Sequence, residues 1–232
     1  MTLEALIFDL DGTLIEFAID YVKARKIAQQ HLIDSGAPVE FLDLSTPIFT
    51  MADRAAQYFE NTLKMTQKAI DNIMDELNLK VIEVEKEAAE RAKIMRGMDK
   101  VLAFIQAKNL PIAVCTLNTT PVAYLSLEKA GLLRKFPDMF SVDRIFGRDK
   151  VGKRTKPDPF HHQVAIDSLE VLAENVVAIG DHPMDCLTAH KVGARSIGIL
   201  RGNHPASDYQ ADYLVKMDEI AEKIPKIFSS HL

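Results

Sequence analysis

The 232-residue sequence predicts an α/β fold in which a parallel sheet with helices is interrupted by a long all-helical segment. Three observations predict this fold class. A strand-length apolar run, 5–8, lies near the N-terminus and is followed at once by acidic residues. After residue 97, similar apolar runs alternate with helical patterns, which is the order of βαβ units in a parallel sheet. Residues 16–95 show helical patterns only. We therefore predict one domain from 1–15 and 96–232, and a second, helical domain from 16–95.

The composition is that of a folded globular protein, with 47% hydrophobic and 26% charged residues. The net charge of −5 has the wrong sign for a protein that binds nucleic acid by neutralising phosphates. No apolar run reaches the roughly 18 residues of a membrane-spanning helix, and the N-terminus lacks the order of a secretory signal. Cys115 and Cys186 are too few for a disulfide framework. We therefore expect a cytoplasmic protein with neither a nucleic-acid nor a membrane partner.

The segment 16–95 differs from the rest of the chain in pattern and in charge. It contains 14 acidic and 10 basic side chains, so most of the negative balance of the chain lies here. The helical patterns are bounded by the helix-breaking residues Gly36, Pro47 and Gly97. The predicted helices cover 20–35, 47–65, 66–77 and 81–95.

The part after Gly97 predicts the remaining strands and their connecting helices. One helix is expected to begin at Asp158-Pro159, with the aspartate as N-cap and the proline in the first turn. The closing helix has an amphipathic pattern. The predicted helices are 99–108, 119–131, one from 158 onward and 218–228, and the predicted strands are 111–116, 141–146, 176–179, 196–200 and 213–215.

Polar residues follow three of the predicted strands, at the point where each strand ends. Asp9 follows the first strand, Thr116 ends the second, and Asp181 follows the strand 176–179. Because ligands of open parallel sheets bind at the carboxyl ends of the strands, we expect these side chains to converge.

Further carboxylates are spaced so that they can reach the same point. Asp9 and Asp11 are two residues apart and would share a face if the strand continued. Asp181 and Asp185 are four apart and would lie on one face if a helix began there. Carboxylate oxygens are the ligands that Mg²⁺ prefers, so the sequence predicts a magnesium site.

These polar residues belong to four short motifs. The motifs are Asp9-Leu10-Asp11-Gly12-Thr13-Leu14, an apolar strand ending in Thr116 with Asn118 two residues on, Lys156 in a Lys-Pro-Asp-Pro run, and Gly180-Asp181-His182-Pro183-Met184-Asp185. In this combination the chain resembles the haloacid dehalogenase superfamily over nearly its whole length. The resemblance implies a Rossmann-like core in a family dominated by phosphatases. The segment 16–95 is similar to the helical cap of the phosphoglycolate-phosphatase-like subgroup.

The resemblance also implies a covalent mechanism. Asp9 would attack the phosphorus of a small phosphorylated metabolite and form an aspartyl-phosphate, which water then hydrolyses. Asp11 would be the general acid and then the general base, which requires a raised pKa.

The remaining motif residues are implied to bind the phosphate and the metal. Thr116, Asn118 and Lys156 would bind the phosphate. The implied Mg²⁺ ligands are Asp9, Asp11, Asp181 and Asp185, with Asp11 ligating through its backbone carbonyl. Three ionised aspartates and a phosphate dianion carry a formal charge of about −5, and Mg²⁺ with Lys156 reduces it to about −2. Hydrogen bonds from backbone amides and the Thr116 hydroxyl would stabilise the negative charge that remains.

Several residues are weaker candidates for a role in substrate choice or chemistry. Two motif positions depart from the family pattern: Glu16-Phe17 stands where Asp-Ser is frequent, and His182 where Ser is frequent. His161 and His162 lie at a predicted helix start, and Cys115 lies in an apolar strand, so structural roles are favoured for all three. The candidates for substrate contact in or next to the helical segment are Phe17, Tyr21, Arg25, Arg54 and Arg91.

Three other functions compete with a phosphatase. A dehalogenase would use the same nucleophile without magnesium, and the further carboxylates argue against it. A sugar-phosphate phosphomutase would keep the same core residues, so the sequence leaves it open. A non-catalytic protein that binds a phosphorylated ligand would be expected to have lost a charged motif residue, and none is missing. The sequence makes no prediction of an oligomeric state.

Overall fold

In the computed structural model, which describes residues 2–16 and 18–230, six parallel strands form one sheet in the order β3-β2-β1-β4-β5-β6. The strands are β1 (Ala5–Phe8), β2 (Ile112–Cys115), β3 (Ile145–Phe146), β4 (Val176–Gly180), β5 (Arg195–Leu200) and β6 (Tyr213–Lys216). The parallel sheet confirms the predicted fold class. No helix within the described residues is long and apolar enough to cross a membrane.

The helices of the described chain are α1 (Tyr21–Asp34), α2 (Ile48–Asn61), α3 (Gln67–Ala89), α4 (Met98–Ala107), α5 (Thr120–Lys129), α6 (Leu132–Lys135), α7 (Arg148–Val151), α8 (Phe160–Leu169), α9 (Pro183–Lys191) and α10 (Ile220–Ser229). Short 3₁₀ turns precede several strands and α10. From β2 to β5 helices separate successive strands, as the sequence predicts, whereas β5 and β6 are joined by a segment with only a 3₁₀ turn.

β1 lies at the centre of the sheet between β2 and β4. Phe8, its last residue, is in register with Val114 of β2 and Ile179 of β4, so the three strands end at nearly the same level. Successive residues of β1 alternate between two apolar clusters on opposite faces: Phe8 belongs to one and Ile7 to the other. Both faces are therefore buried, and the polar residues that follow the strands lie at one edge.

The chain divides into two compact units. One comprises Met1–Ala18 with Ala89–Leu232, and the other is Ile19–Ala88. The second unit is helical and has its own apolar cluster, which includes Leu32, Met51 and Phe59. The predicted segment 16–95 extends a few residues beyond this unit at either end.

The predicted helices 66–77 and 81–95 are one helix, α3. Neither glycine nor proline occurs between them, and Leu77, Val81 and Val84 continue a single buried face. The helix ends at Ala89 rather than Met95. The backbone of 93–95 is instead bonded to the loop after β1: the Glu16 amide donates to Lys93, and the Met95 amide donates to Leu14.

Two further predictions need correction. The strand predicted over 141–146 is shortened to Ile145–Phe146, because residues 142–144 form a 3₁₀ turn. Pro159, not Asp158, is the N-cap of α8, although the Asp158 carboxylate accepts a hydrogen bond from the Phe160 amide at 2.8 Å. Asp158 therefore still satisfies a free amide of the first turn.

Candidate active site

The loop after β1 positions Asp9 at the carboxyl edge of the sheet. The Asp9 amide donates to the Ile179 carbonyl at 2.9 Å, which extends the β1–β4 pairing by one residue. The chain then turns, since the amides of Leu14 and Ile15 both donate to the Leu10 carbonyl. The strand ends at Phe8, so the condition under which Asp9 and Asp11 would share a strand face is not met.

Lys156 joins two carboxylates that are far apart in sequence. Its Nζ lies 2.7 Å from Oδ1 of Asp9 and 2.6 Å from Oδ1 of Asp185, and its side chain is only 2% exposed. Burial opposes the charge on Lys156, but the carboxylates of Asp185 and Asp9 outweigh it and raise the pKa. Lys156 is therefore a fixed cation in contact with Asp9.

Oxygens of Asp9, Asp181 and Asp185 lie within 4.8 Å of one another. Burial raises the pKa of Asp9 to about 6, and the negative charge of Asp185 adds to the rise. Burial and the Asp9 charge likewise raise the pKa of Asp181 to about 6, and burial raises the pKa of Asp185. Three crowded carboxylates disfavour one another's ionisation. Their hard oxygen atoms and excess negative charge fit a small divalent cation of the Mg²⁺ type.

The Asp11 carboxylate is directed to a different partner. Its Oδ2 accepts a hydrogen bond from Nδ2 of Asn118 at 2.7 Å, and among the described residues the carboxylate cluster is formed without it. The backbone N–H of Asn118 donates to Oγ1 of Thr116 at 3.1 Å. The structure thus brings Asp11, Thr116 and Asn118 together in one chain of hydrogen bonds.

His161 supports the loop that carries Lys156. Its Nδ1 accepts from the Lys156 backbone amide at 3.2 Å, and its Nε2 is 2.8 Å from the Phe146 carbonyl, so Nε2 is the protonated nitrogen. Burial, together with the Lys156 cation, lowers the pKa of His161 to about 4. His161 is therefore a neutral residue that ties the Lys156 loop to the end of β3. His162 and Cys115 are also buried.

The turn into α9 positions Asp185. His182 is the N-cap: its Nδ1 accepts from the Met184 amide at 3.1 Å, and its own amide donates to Oδ2 of Asp185 at 3.1 Å. A Cβ at Gly180 would collide with the Asp185 carboxylate. Burial and His204 lower the pKa of His182 to about 4. These contacts explain the histidine as a capping residue.

Two residues that the sequence prediction missed contact Asp181. Nη1 of Arg201 lies 2.9 Å from Oδ2 of Asp181, and the Tyr209 hydroxyl donates to the Asp181 carbonyl at 2.5 Å. Arg201 directly follows β5. The strand-end rule that identified Asp9, Thr116 and Asp181 therefore also applies to Arg201, and extending it to β5 would have found this residue.

The candidates for substrate contact stay predictions. Phe17 lies outside the described residues. In the helical unit, Nη1 of Arg25 donates to the Leu44 carbonyl at 3.3 Å, and Tyr21 is exposed. Arg91 belongs to the unit that contains the sheet.

Comparison with known proteins identifies the family. Residues 6–199 match the model of the haloacid dehalogenase-like hydrolases, and the chain belongs to this family. The membership confirms the resemblance seen in the motifs.

Individual relatives match along most of the chain. The N-acetylmuramic acid 6-phosphate phosphatase of Pseudomonas putida is 27% identical over 93% of this chain and 92% of its own length. The phosphoglycolate phosphatase of Agrobacterium fabrum is 27% identical over 96% of this chain and 91% of its own length. The crystal structure of a β-phosphoglucomutase from Clostridium difficile shares the fold, with a TM-score of 0.69, 21% identity and coverage of 99% of this chain and 97% of that chain.

Proposed function

We propose that the protein is a Mg²⁺-dependent phosphatase that hydrolyses small phosphorylated metabolites through an aspartyl-phosphate at Asp9. The observation that carries this proposal is the contact of Lys156 with both Asp9 and Asp185 beside a third carboxylate. Two relatives named as phosphatases of phosphorylated metabolites support it. The buried free thiols of Cys115 and Cys186 fit a reducing compartment, so we place the reaction in the cytoplasm.

Asp9 is suited to the role of nucleophile. Its pKa of about 6 leaves the carboxylate mostly ionised at neutral pH, and Lys156 fixes its orientation. An oxygen of Asp9 forms a bond to phosphorus while the bond from phosphorus to the ester oxygen breaks. Water then attacks the same phosphorus, which releases inorganic phosphate and regenerates the carboxylate.

Asp11 is proposed as the general acid and base. It gives a proton to the leaving alkoxide in the first step and takes one from the attacking water in the second. The hydrogen bond from Asn118 holds its carboxylate in place. The second hydrogen of the Asn118 amide and the Thr116 hydroxyl are assigned to the phosphate oxygens.

Charge neutralisation requires more cations than Lys156 alone. Asp9, Asp181, Asp185 and a phosphate dianion carry about −5, and the ion pair of Arg201 adds a positive charge that the sequence-based count lacked. Lys156 and Mg²⁺ reduce this formal charge to about −2, and Arg201 offsets part of the remainder as long as it stays near Asp181. Asp9, Asp181, Asp185 and the Asp11 carbonyl are the proposed metal ligands. When bound, the metal ion screens the negative charge between nucleophile and phosphate.

The proposal is tested by phosphate release from an activated aryl phosphate and a panel of phosphorylated metabolites. We expect turnover with Mg²⁺, none in excess chelator, and recovery when Mg²⁺ is restored. The matched control pair is Asp9→Asn, which should be inactive, and Asp167→Asn, which removes an aspartate from the exposed face of α8. Full activity in chelator, or activity in Asp9→Asn, would contradict the proposal. Isomerised sugar phosphate without released phosphate would support a phosphomutase, and binding without either product a non-catalytic protein.

A further inference from the structure

Arg201 contacts the carboxylate that would ligate the metal. Its Nη1 lies 2.9 Å from Oδ2 of Asp181, whose side chain is 8% exposed against 22% for Arg201. A guanidinium and a divalent cation seek the same carboxylate lone pairs and repel each other across it. Whichever oxygen the metal uses, the Arg201 charge therefore opposes metal binding at Asp181.

The backbone of the nucleophile loop leaves room for this arginine. Gly12 has a φ of +85°, and a Cβ at this position would collide with both Nη1 of Arg201 and the Asp181 carboxylate. Gly12 is therefore required by backbone conformation and also by the ion pair next to it. The guanidinium therefore lies against the backbone of the loop that carries Asp9 and Asp11.

Asp181 does not depend on Arg201 for its position. The Tyr209 hydroxyl donates to the Asp181 carbonyl at 2.5 Å, and Asp181 follows directly on β4 in the middle of the sheet. Removing the guanidinium should release the carboxylate without displacing the backbone that carries it.

We propose that Arg201 is a counter-ion that competes with the divalent cation for Asp181 and so lowers the affinity of the free protein for metal. This inference rests on the proposed metal-dependent function. It predicts that loss of the arginine charge tightens metal binding, whereas an arginine that merely orients Asp181 would have the opposite effect. The direction in which the Mg²⁺ affinity changes therefore distinguishes a competing counter-ion from an orienting residue.

The test is a calorimetric titration of Mg²⁺ into the metal-free, substrate-free full chain. Arg201→Gln should bind Mg²⁺ about tenfold more tightly than the unmodified protein, because it removes the repulsion between the guanidinium and the divalent cation. Arg201→Lys keeps the charge and should stay within about threefold. Arg134→Gln, which removes an exposed arginine of α6, is the matched control and should not change the affinity.

Thermal unfolding gives an independent readout for the same proteins. The rise in Tm on adding Mg²⁺ should be larger for Arg201→Gln than for the unmodified chain, because metal binding no longer breaks an ion pair. Arg201→Ala provides a second variant if Arg201→Gln does not fold. Equal or weaker Mg²⁺ affinity in the Gln and Ala variants would overturn the inference alone. Absence of Mg²⁺ binding in both the unmodified protein and Arg201→Gln would overturn both the inference and the proposed function.

Discussion

Lysine–carboxylate pairs of similar length have different surroundings in the two units of this protein. In the helical unit, Lys23 lies 2.5 Å from Glu87, and both side chains are about half exposed. In the unit that contains the sheet, Lys156 lies 2.7 Å from Asp9, and both are largely buried. Water solvates the first pair whether or not it forms, whereas the second has lost its hydration. The N–O distance of an ion pair therefore says little about its contribution to stability. The burial of the charges is what distinguishes the candidate site.

The largest expected effect comes from breaking these two pairs by the same substitution. Lys156→Met should lower the free energy of unfolding by about 3–5 kcal/mol, because it leaves two carboxylates buried without their cation. Lys23→Met should lower it by less than about 1 kcal/mol. Urea unfolding of the metal-free proteins measures both values. A similar decrease in the free energy of unfolding for the two variants would show that burial does not determine how much each ion pair contributes.

Carboxylates of the two units should change the stability of the protein with pH in opposite directions. The pKa of Asp181 is about 6 when folded, above its value of 3.8 in the unfolded chain, so the folded protein holds this proton more tightly. The resulting destabilisation is present above pH 6 and disappears as the pH falls towards 4. In the helical unit, hydrogen bonds from Ser45 lower the pKa of Asp43, so its stabilisation is lost as the pH falls.

Asp181→Asn and Asp43→Asn test these signs in metal-free protein. We expect Asp181→Asn to raise the stability at pH 7 by about 3 kcal/mol and to have little effect near pH 4. Asp43→Asn should lower the stability at pH 7 and lose its effect at low pH. Unfolding free energies measured from pH 4 to 7 give both profiles. A pH-independent difference for Asp181→Asn would contradict a raised pKa.

A smaller effect is expected for substrate choice, which we predict to reside in the helical segment 16–95. The core residues proposed for catalysis would contact only the phosphate, so they would not distinguish one ester from another. Arg54→Ala should raise KM about threefold to tenfold for the best metabolite and leave acetyl phosphate unchanged. Steady-state kinetics on both substrates measure the difference, with Arg134→Gln as control. Equal changes for both substrates would argue against a role in selection.

The sequence was informative where a strand ends in a charged or hydroxyl residue. The closeness of Asp9 and Asp181 could be predicted because parallel strands share one carboxyl edge. The role of His161 could not, since its function depends on a contact between the Lys156 loop and the end of β3. The single helix α3 differs from the two helices predicted, although the absence of glycine and proline between them and the continuous apolar face already favour one helix.

In the proposed mechanism Asp9 becomes phosphorylated during turnover. Asp11→Asn tests it most directly with an activated aryl phosphate, whose leaving group needs no general acid, while the second step lacks its general base. The proteins are mixed with substrate and Mg²⁺, quenched in acid and mapped by peptide mass spectrometry. We expect one phosphoryl group on the peptide containing Asp9 in Asp11→Asn, and none when Asp9 is also replaced by Asn. Phosphorylation at another residue, or in the doubly substituted protein, would contradict Asp9 as the nucleophile.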